Sequence, residues 1–463
     1  MEEAEVSPGT NDATSKSRCC PVSQVTGHLE ALSMNGEEND DSEEEILYAV
    51  GDYVGVGEDQ LSFKRGEPLK ILQKMSEHWW WAESKGNVGY IPVNHLTHNS
   101  FQQMCWQDDE YFGSYGKLKL HHEMLSDKPR TSAYQKAIKD NAHLMKDLVI
   151  LDVGCGTGIL SLMCAQYGQP KQVYAVEASD MADHTSEVVS SNHFSHVITV
   201  VHSYVEDLTL DQPVDLIISE WMGTLLLFEM MIESVLVARD KFLRPGGIVW
   251  PSAASLFLVP VSAAEQYSDS IDFWTAQYGF DLSCLKPLAF EEFLQKPNHS
   301  FILDRDNCLA TETKLLELDI STLKVTGLEE MSRMFEFEIT KSGMLHGFCT
   351  WFQVDFQGLA PEVETVSLNT GPDHDLTHWK QNLFLLDSGI SVNEGDVLQG
   401  QAKIFRHSEW RRHLRFFVTF RHIRKQTGEV SLFNKHFYNA GLLCDVEELH
   451  SLTLSQAAID THQ

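Results

Sequence analysis

The chain predicts a doubly wound α/β domain followed by a β-barrel-like domain, with a small all-β domain ahead of both, on three observations. The run Val149-Ile150-Leu151-Asp152-Val153 is apolar and short, ends in Gly154-Cys155-Gly156-Thr157-Gly158, and leads into a helical pattern of Ile159, Leu160, Leu162, Met163 and Ala165. That order is a buried parallel strand, a tight turn and a helix. From Ser252 onward the pattern changes to short alternating strands, among them Leu256-Phe257-Leu258-Val259, Phe335-Glu336-Phe337-Glu338-Ile339 and Leu414-Arg415-Phe416-Phe417-Val418. Between Ile46 and Leu96, short strands are separated by turn residues such as Gly66 and Gly89.

Each element then narrows the function. Glycines after the first strand permit positive φ and close approach of a ligand to the backbone. Their spacing is G-x-G-x-G, without the G-x-G-x-x-G of dinucleotide enzymes, and no G-K-[ST] follows, so a P-loop is excluded. A second buried strand, Val173-Tyr174-Ala175-Val176-Glu177, ends in an acid 19 residues after Gly158. A carboxylate there can accept both ribose hydroxyls of an adenosine, which suits NAD and S-adenosylmethionine equally. The third strand, Val214-Asp215-Leu216-Ile217-Ile218-Ser219, runs into Glu220-Trp221-Met222-Gly223, and Glu229 follows. Two carboxylates facing one pocket suit a cationic substrate, and nothing here is like a hydride-transfer site.

Asp152-Val153-Gly154-Cys155-Gly156-Thr157-Gly158, the stretch Ser219 to Gly223 with Glu229, and Thr377-His378-Trp379 together resemble the protein arginine methyltransferases. The resemblance runs from about Asp108 to about Tyr438. It implies a Rossmann-like S-adenosylmethionine-binding domain over 99–250, with N-terminal helices, that releases S-adenosylhomocysteine. It further implies a β-barrel substrate domain over 251–438, entered at a Trp250-Pro251 hinge. Within it an aromatic-rich insertion, 266–296, would be a helical arm that docks on the partner's α/β domain in a homodimer; otherwise it would be a lid or local barrel cover.

The same resemblance assigns residues. His121, Arg130, Asp152, Gly154, Gly156, Glu177, Val205 and Glu206 would contact the cofactor, with Arg130 on the methionine carboxylate and Glu206 at the adenine amino group. Tyr115, Met124, Trp221 and Met222 would wall the substrate pocket. Glu220 and Glu229 would clamp the arginine, and His378, paired with the distant Asp127, would take up the departing proton. Met124 opposite His378 is similar to the type I members, which make asymmetric dimethylarginine. Histones and Arg/Gly-rich proteins would be the substrates, nucleus and cytoplasm the location, and no metal is implied. On the residues alone, Leu120 to Thr131 is an amphipathic helical stretch broken at Pro129, and a lone His378 is as readily structural.

Residues 45–98 resemble an SH3 domain, which docks Pro-rich segments in a polyproline II conformation on an aromatic groove. By that resemblance Tyr53, Trp79, Tyr90, Pro92 and Asn94 line the groove, and Glu58 and Asp59 meet a ligand cation. Gly51 and His95 stand where groove tyrosines are usual, which predicts a shallower groove. Strand alternation places Trp79 and Trp81 on one face and Trp80 on the other.

The formal net charge of −32 argues against direct binding of nucleic acid through its phosphates and favours basic protein partners. Nine scattered cysteines without a C-x-x-C pair predict reduced thiols. With no run of 18 apolar residues and no leader-like opening, a soluble intracellular chain without a membrane contact is expected. Residues 1–44 are acidic and poor in aromatics, the composition of a disordered tail; 439–463 carry no motif and are expected to be a flexible tail. Two rivals remain at this level: a small-molecule methyltransferase, and a weakly active SH3 scaffold or transcriptional coregulator.

Overall fold

The computed structural model describes residues 45–438, except for 50–52, 54, 56–58, 65, 77–78, 98–106, 109–110 and 409. Both expected tails, 1–44 and 439–463, lie outside the described residues, as do Gly51, Glu58 and the Asn94 side chain.

The α/β domain is built on a five-stranded parallel sheet in the order Leu243–Trp250, Val214–Ser219, Val149–Val153, Gln172–Glu177, Ile198–His202. Val149–Val153 is buried along its whole length, as a central strand covered on both faces must be. Because the chain leaves it first to one side and then to the other, a crevice opens at its carboxyl end, where Gly154, Gly156 and Gly158 all take positive φ. Helices Ile159–Met163, Met181–Ser191 and Ile232–Phe242 pack beside the sheet, and Leu118–Ser126 and Lys128–Asp140 precede it. Pro129 falls in the first turn of the latter helix, where its missing N–H costs nothing, and Asp127 caps that helix by accepting from the Arg130 N–H at 2.9 Å.

Beyond the cis Trp250-Pro251 bond the chain forms two antiparallel sheets. One is ordered Asn298–Phe301, Gln381–Val392, Gly343–Phe356, Ala253–Val261, Thr313–Asp319, with Val366–Asn369 also on Gly343–Phe356. The other is ordered Glu330–Glu338, Val397–Arg406, Leu414–Ile423, Val430–Tyr438. Alternating inward residues meet in an aromatic core in which Phe348 contacts Phe420 and Phe384 contacts Phe416. The insertion expected over 266–296 contains helices Ala264–Ser270 and Lys286–Phe293 around a two-stranded hairpin, Ala276–Gln277 and Phe280–Asp281. Its base is part of the barrel: Ile271, Ala289 and Leu294 are buried with Val259 and Leu383. Its tip is bare, with Tyr278 97% and Phe280 71% exposed.

The N-terminal strands form a five-stranded antiparallel sheet, ordered Asn87–Pro92, Trp79–Ser84, Pro68–Lys74, Ile46–Ala49, Leu96–Thr97, around Ala49, Leu61, Phe63, Leu69, Ala82 and Ile91. Trp79 sits edge-on to Tyr53 and Trp81 edge-on to Tyr90, while Trp80 packs on the small core. His95 packs edge-on to Tyr53 and Phe63.

Candidate functional site

A cavity of about 350 Å³ lies at the carboxyl ends of the parallel strands. Its floor is the glycine loop. A Cβ added at Gly156 would come within 3.0 Å of the His121 ring, and one at Gly154 within 2.5 Å of the Met231 methyl, so side chains there would fill the cradle. Glu177 faces the same space. One of its carboxylate oxygens accepts from the Gly156 N–H at 2.8 Å and the other from Ser179 N–H at 2.9 Å, which ties the second strand end to the glycine turn. Val205 and Glu206 line the far end, where Ser234 donates to Glu206.

The opposite wall holds the two acids. Glu220 continues the third strand, and Met222 N–H donates to it at 3.2 Å. Glu229 comes from the loop after Gly223, in which Leu225, Leu226, Glu229 and Met230 all adopt left-handed backbone conformations. Such conformations cost about 1–3 kcal/mol each and persist only where surroundings enforce them. Gly223 is one enforcer: an added Cβ would lie 1.9 Å from the Phe228 carbonyl oxygen. Burial raises the Glu229 carboxyl above its ordinary range, with the neighbouring Glu220 acting in the same direction. Tyr115 donates to Glu229 at 2.7 Å, and burial pushes the Tyr115 phenol well up, which keeps it a donor.

Arg130 is paired within the protein. Its guanidinium gives two hydrogen bonds, 3.0 and 2.8 Å, to one oxygen of Glu220, and a third to the Met124 carbonyl. Both partners are more than nine-tenths buried. The sequence resemblance treated Arg130 as a cofactor ligand and Glu220 as a substrate clamp; the geometry makes each the other's counter-ion as well. Asp127 accepts from His378, whose Nδ1 lies 2.6 Å from it and whose backbone N–H lies 2.8 Å away. Burial alone would raise the Asp127 carboxyl, but the bonds from His378 and Arg130 N–H outweigh it and hold it low. Trp379 donates to the Met222 carbonyl at 2.8 Å, fixing the Thr377-His378-Trp379 loop across the cavity.

Of the expected residues, Tyr115, His121, Met124, Arg130, Gly154, Gly156, Glu177, Val205, Glu206, Glu220, Trp221, Met222, Glu229 and His378 share this cavity. Asp152 is not among the residues that line it. It is wholly buried beneath the turn, where one oxygen accepts from Ser161 N–H and Oγ at the start of the following helix. Burial pushes its carboxyl up to about 7. Asp127 acts on the cavity only through His378 and Arg130.

Sequence reasoning missed Tyr111, Met231 and Ser234 in the lining, and His299 and Ser300, which reach in from a barrel strand. It also missed Arg412, from the barrel turn before Leu414–Ile423. Among the described residues no cluster could hold a metal ion and no helix is long and apolar enough to cross a membrane.

Comparison with known proteins places this geometry. Residues 48–93 match the SH3 domain model, 150–247 a methyltransferase domain model, and 252–425 the arginine methyltransferase oligomerization subdomain. The chain is 47% identical over 399 residues to protein arginine N-methyltransferase 2 of Homo sapiens, covering 85% of this chain and 92% of that one. It is 50% identical to the Mus musculus protein of the same name over 77% of this chain and 80% of that one. Among solved structures, Arabidopsis thaliana protein arginine methyltransferase 10 superposes with a TM-score of 0.65 at 32% identity, covering 71% of this chain and all of that one. A Trypanosoma brucei PRMT1 enzyme–prozyme heterotetrameric complex with AdoHcy gives the same TM-score at 31% identity and the same coverage. Glycine cradle, paired acids, barrel and SH3 module thus converge: the chain belongs to the protein arginine N-methyltransferases, S-adenosylmethionine-dependent enzymes that methylate arginine in proteins.

Proposed function

We propose that this enzyme is a type I arginine methyltransferase, working as a homodimer and recruiting partners through its SH3 groove. The observation that carries the catalytic part is the pair of buried acids, Glu220 and Glu229, on one wall of a cavity whose floor is the glycine cradle. The residues present fit S-adenosylmethionine: the open cradle at Gly154 and Gly156, the Glu177 carboxylate at the second strand tip, and Val205 and Glu206 at the adenine end. When bound, that cofactor supplies an electrophilic methyl on a sulfonium. Everything else falls to the chain.

The arginine guanidinium is a poor nucleophile because its pKa exceeds about 12 and its lone pairs are delocalised. Glu229, ionised, attracts it into the cavity and turns one terminal nitrogen toward the reacting centre. Glu220 contributes its second oxygen, which also accepts from Met222 N–H, the first being held by Arg130. Proximity and fixed charge then supply most of the rate. As methylation proceeds the nitrogen becomes acidic, and His378, oriented by Asp127, receives its proton. Glu229 must be ionised to work and burial raises its pKa, so activity falls with decreasing pH from above the usual carboxylate range.

Met124 and His378, both lining the cavity, support the type I reading. Amino-acid analysis of an Arg/Gly-rich peptide after exhaustive reaction should yield monomethylarginine and asymmetric dimethylarginine. Symmetric dimethylarginine as the main product would overturn it.

The groove reading rests on Trp79, Tyr53, Tyr90 and Pro92, with Trp79 opposite Pro92 in register. Trp79→Ala should abolish capture of Pro-rich peptides and leave methylation of a short free peptide unchanged. Loss of both activities would mean that Trp79 supports the fold instead.

A further inference from the structure

The strained conformation of Glu229 is held from a distance, by the barrel. Arg412 sits in the turn between strands Val397–Arg406 and Leu414–Ile423. That turn is internally tied: His407 N–H donates to the His413 carbonyl, and His413 N–H to the Trp410 carbonyl. Both backbone groups of Glu229 bond to Arg412. Glu229 N–H donates to the Arg412 carbonyl at 2.8 Å, and Arg412 Nη1 donates to the Glu229 carbonyl at 2.8 Å. The same guanidinium donates from Nε and Nη2 to Asp108 at 3.1 and 2.6 Å, and stacks 3.9 Å from the Tyr111 ring centre. Tyr111, Phe112 and Tyr115 are the aromatic wall of the cavity.

We infer that Arg412 is a positioning residue: one planar guanidinium fixes both the substrate-facing Glu229 and the aromatic wall, so the barrel sets the catalytic geometry of the α/β domain. The inference rests on the proposed role of Glu229. A forked, always charged group suits the task, because two donor edges and a stacking face act at once where lysine offers a single point charge. The neighbouring turn residues reinforce the attachment. Arg406 pairs with Glu233 through both terminal nitrogens, next to the start of the helix that follows Glu229, and Arg411 N–H donates to Gln107 at 3.0 Å. Without the Arg412 guanidinium the Glu229 carbonyl loses its bond to the barrel, and the left-handed glutamate is held there only by its N–H on the residue-412 backbone carbonyl.

Three variants of the full-length chain test this against a merely structural role. The groups facing the Glu229 carboxylate are Tyr111 and Tyr115 from the aromatic wall, Glu220 with its partner Arg130, and Arg412 from the barrel. Arg412 is the member of this set that lowers the Glu229 pKa by its charge. Arg412→Met should therefore lower kcat on an Arg/Gly-rich peptide about tenfold or more through misplacement. It should also move the acidic limb of the kcat/KM profile to higher pH, because the carboxylate loses a cation that favoured its ionised form. Arg412→Lys keeps a charge but not the fork or the stack, so its acidic limb should stay near native while kcat still falls. Asp108→Asn weakens the hold on the Arg412 fork at the aromatic wall and should weaken S-adenosylhomocysteine binding by calorimetry about fivefold, near the worth of one ordinary hydrogen bond, without raising the limb.

An Arg412→Met enzyme with kcat within twofold of native and an unmoved limb overturns the inference. If that variant does not fold, the other two decide: native kcat in Arg412→Lys together with native S-adenosylhomocysteine affinity in Asp108→Asn overturns it equally. Glu229→Gln is the control. Should that control remain active, the role of Glu229 fails; an inactive control beside a native Arg412→Met refutes only the positioning role.

Discussion

Glu229→Gln should bind S-adenosylmethionine with near-native affinity, melt near the native temperature, and transfer methyl at least about a hundredfold more slowly. The amide keeps the shape and can still accept from Tyr115, so the fold loses little, while the charge that must meet a guanidinium is gone. Glu220→Gln should be as inactive but for two reasons. Its carboxylate is the counter-ion of Arg130, and removing one partner of a buried pair costs about 3–5 kcal/mol. The two variants therefore separate by melting temperature, Glu220→Gln being clearly lower. Calorimetric scanning with parallel turnover checks both. A Glu229→Gln enzyme retaining about a third of native turnover would demote that acid to a loop carboxylate, and equal melting temperatures would mean that the Arg130 pair contributes nothing.

Placing charge at the arm tip should give a monomer with most activity lost. Tyr278 and Phe280 are large aromatic side chains, the first almost wholly and the second largely exposed, an arrangement that marks a docking surface. Deleting the whole arm would not test this cleanly, since Ile271, Ala289 and Leu294 belong to the barrel core and the truncation would expose Val259 and Leu383. Tyr278→Ser with Phe280→Asp touches no core contact. Light scattering should report half the native mass at an unchanged melting temperature. Native mass would move the interface elsewhere, and a monomer with full activity would detach assembly from catalysis.

What was legible in the sequence was local. The glycine turn, the acids at Glu177 and Glu220 and the start of the Lys128–Asp140 helix each follow from a few consecutive residues whose spacing has one physical meaning. Pairings across the chain were not, because they depend on which strands and turns come together. Asp127 with His378 was reached only through family resemblance. The Arg130–Glu220 pair was invisible, since an arginine at a helix start and an acid at a strand end carry no mark of each other. Arg412 lies in a turn with no pattern of its own, and its contact with Glu229 spans two domains. The bonds from Ser161 to Asp152 were equally illegible, since a motif acid beside the glycine loop carries no mark of the helix residue it meets.

The most direct test of arginine methylation by this cavity is transfer of labelled methyl from S-adenosylmethionine to two peptides that differ only in carrying arginine or lysine. The native enzyme should label the arginine peptide alone, with the label recovered as methylated arginine, and Glu229→Gln should label neither. Label on the lysine peptide, or equal labelling by native enzyme and Glu229→Gln, would contradict the account.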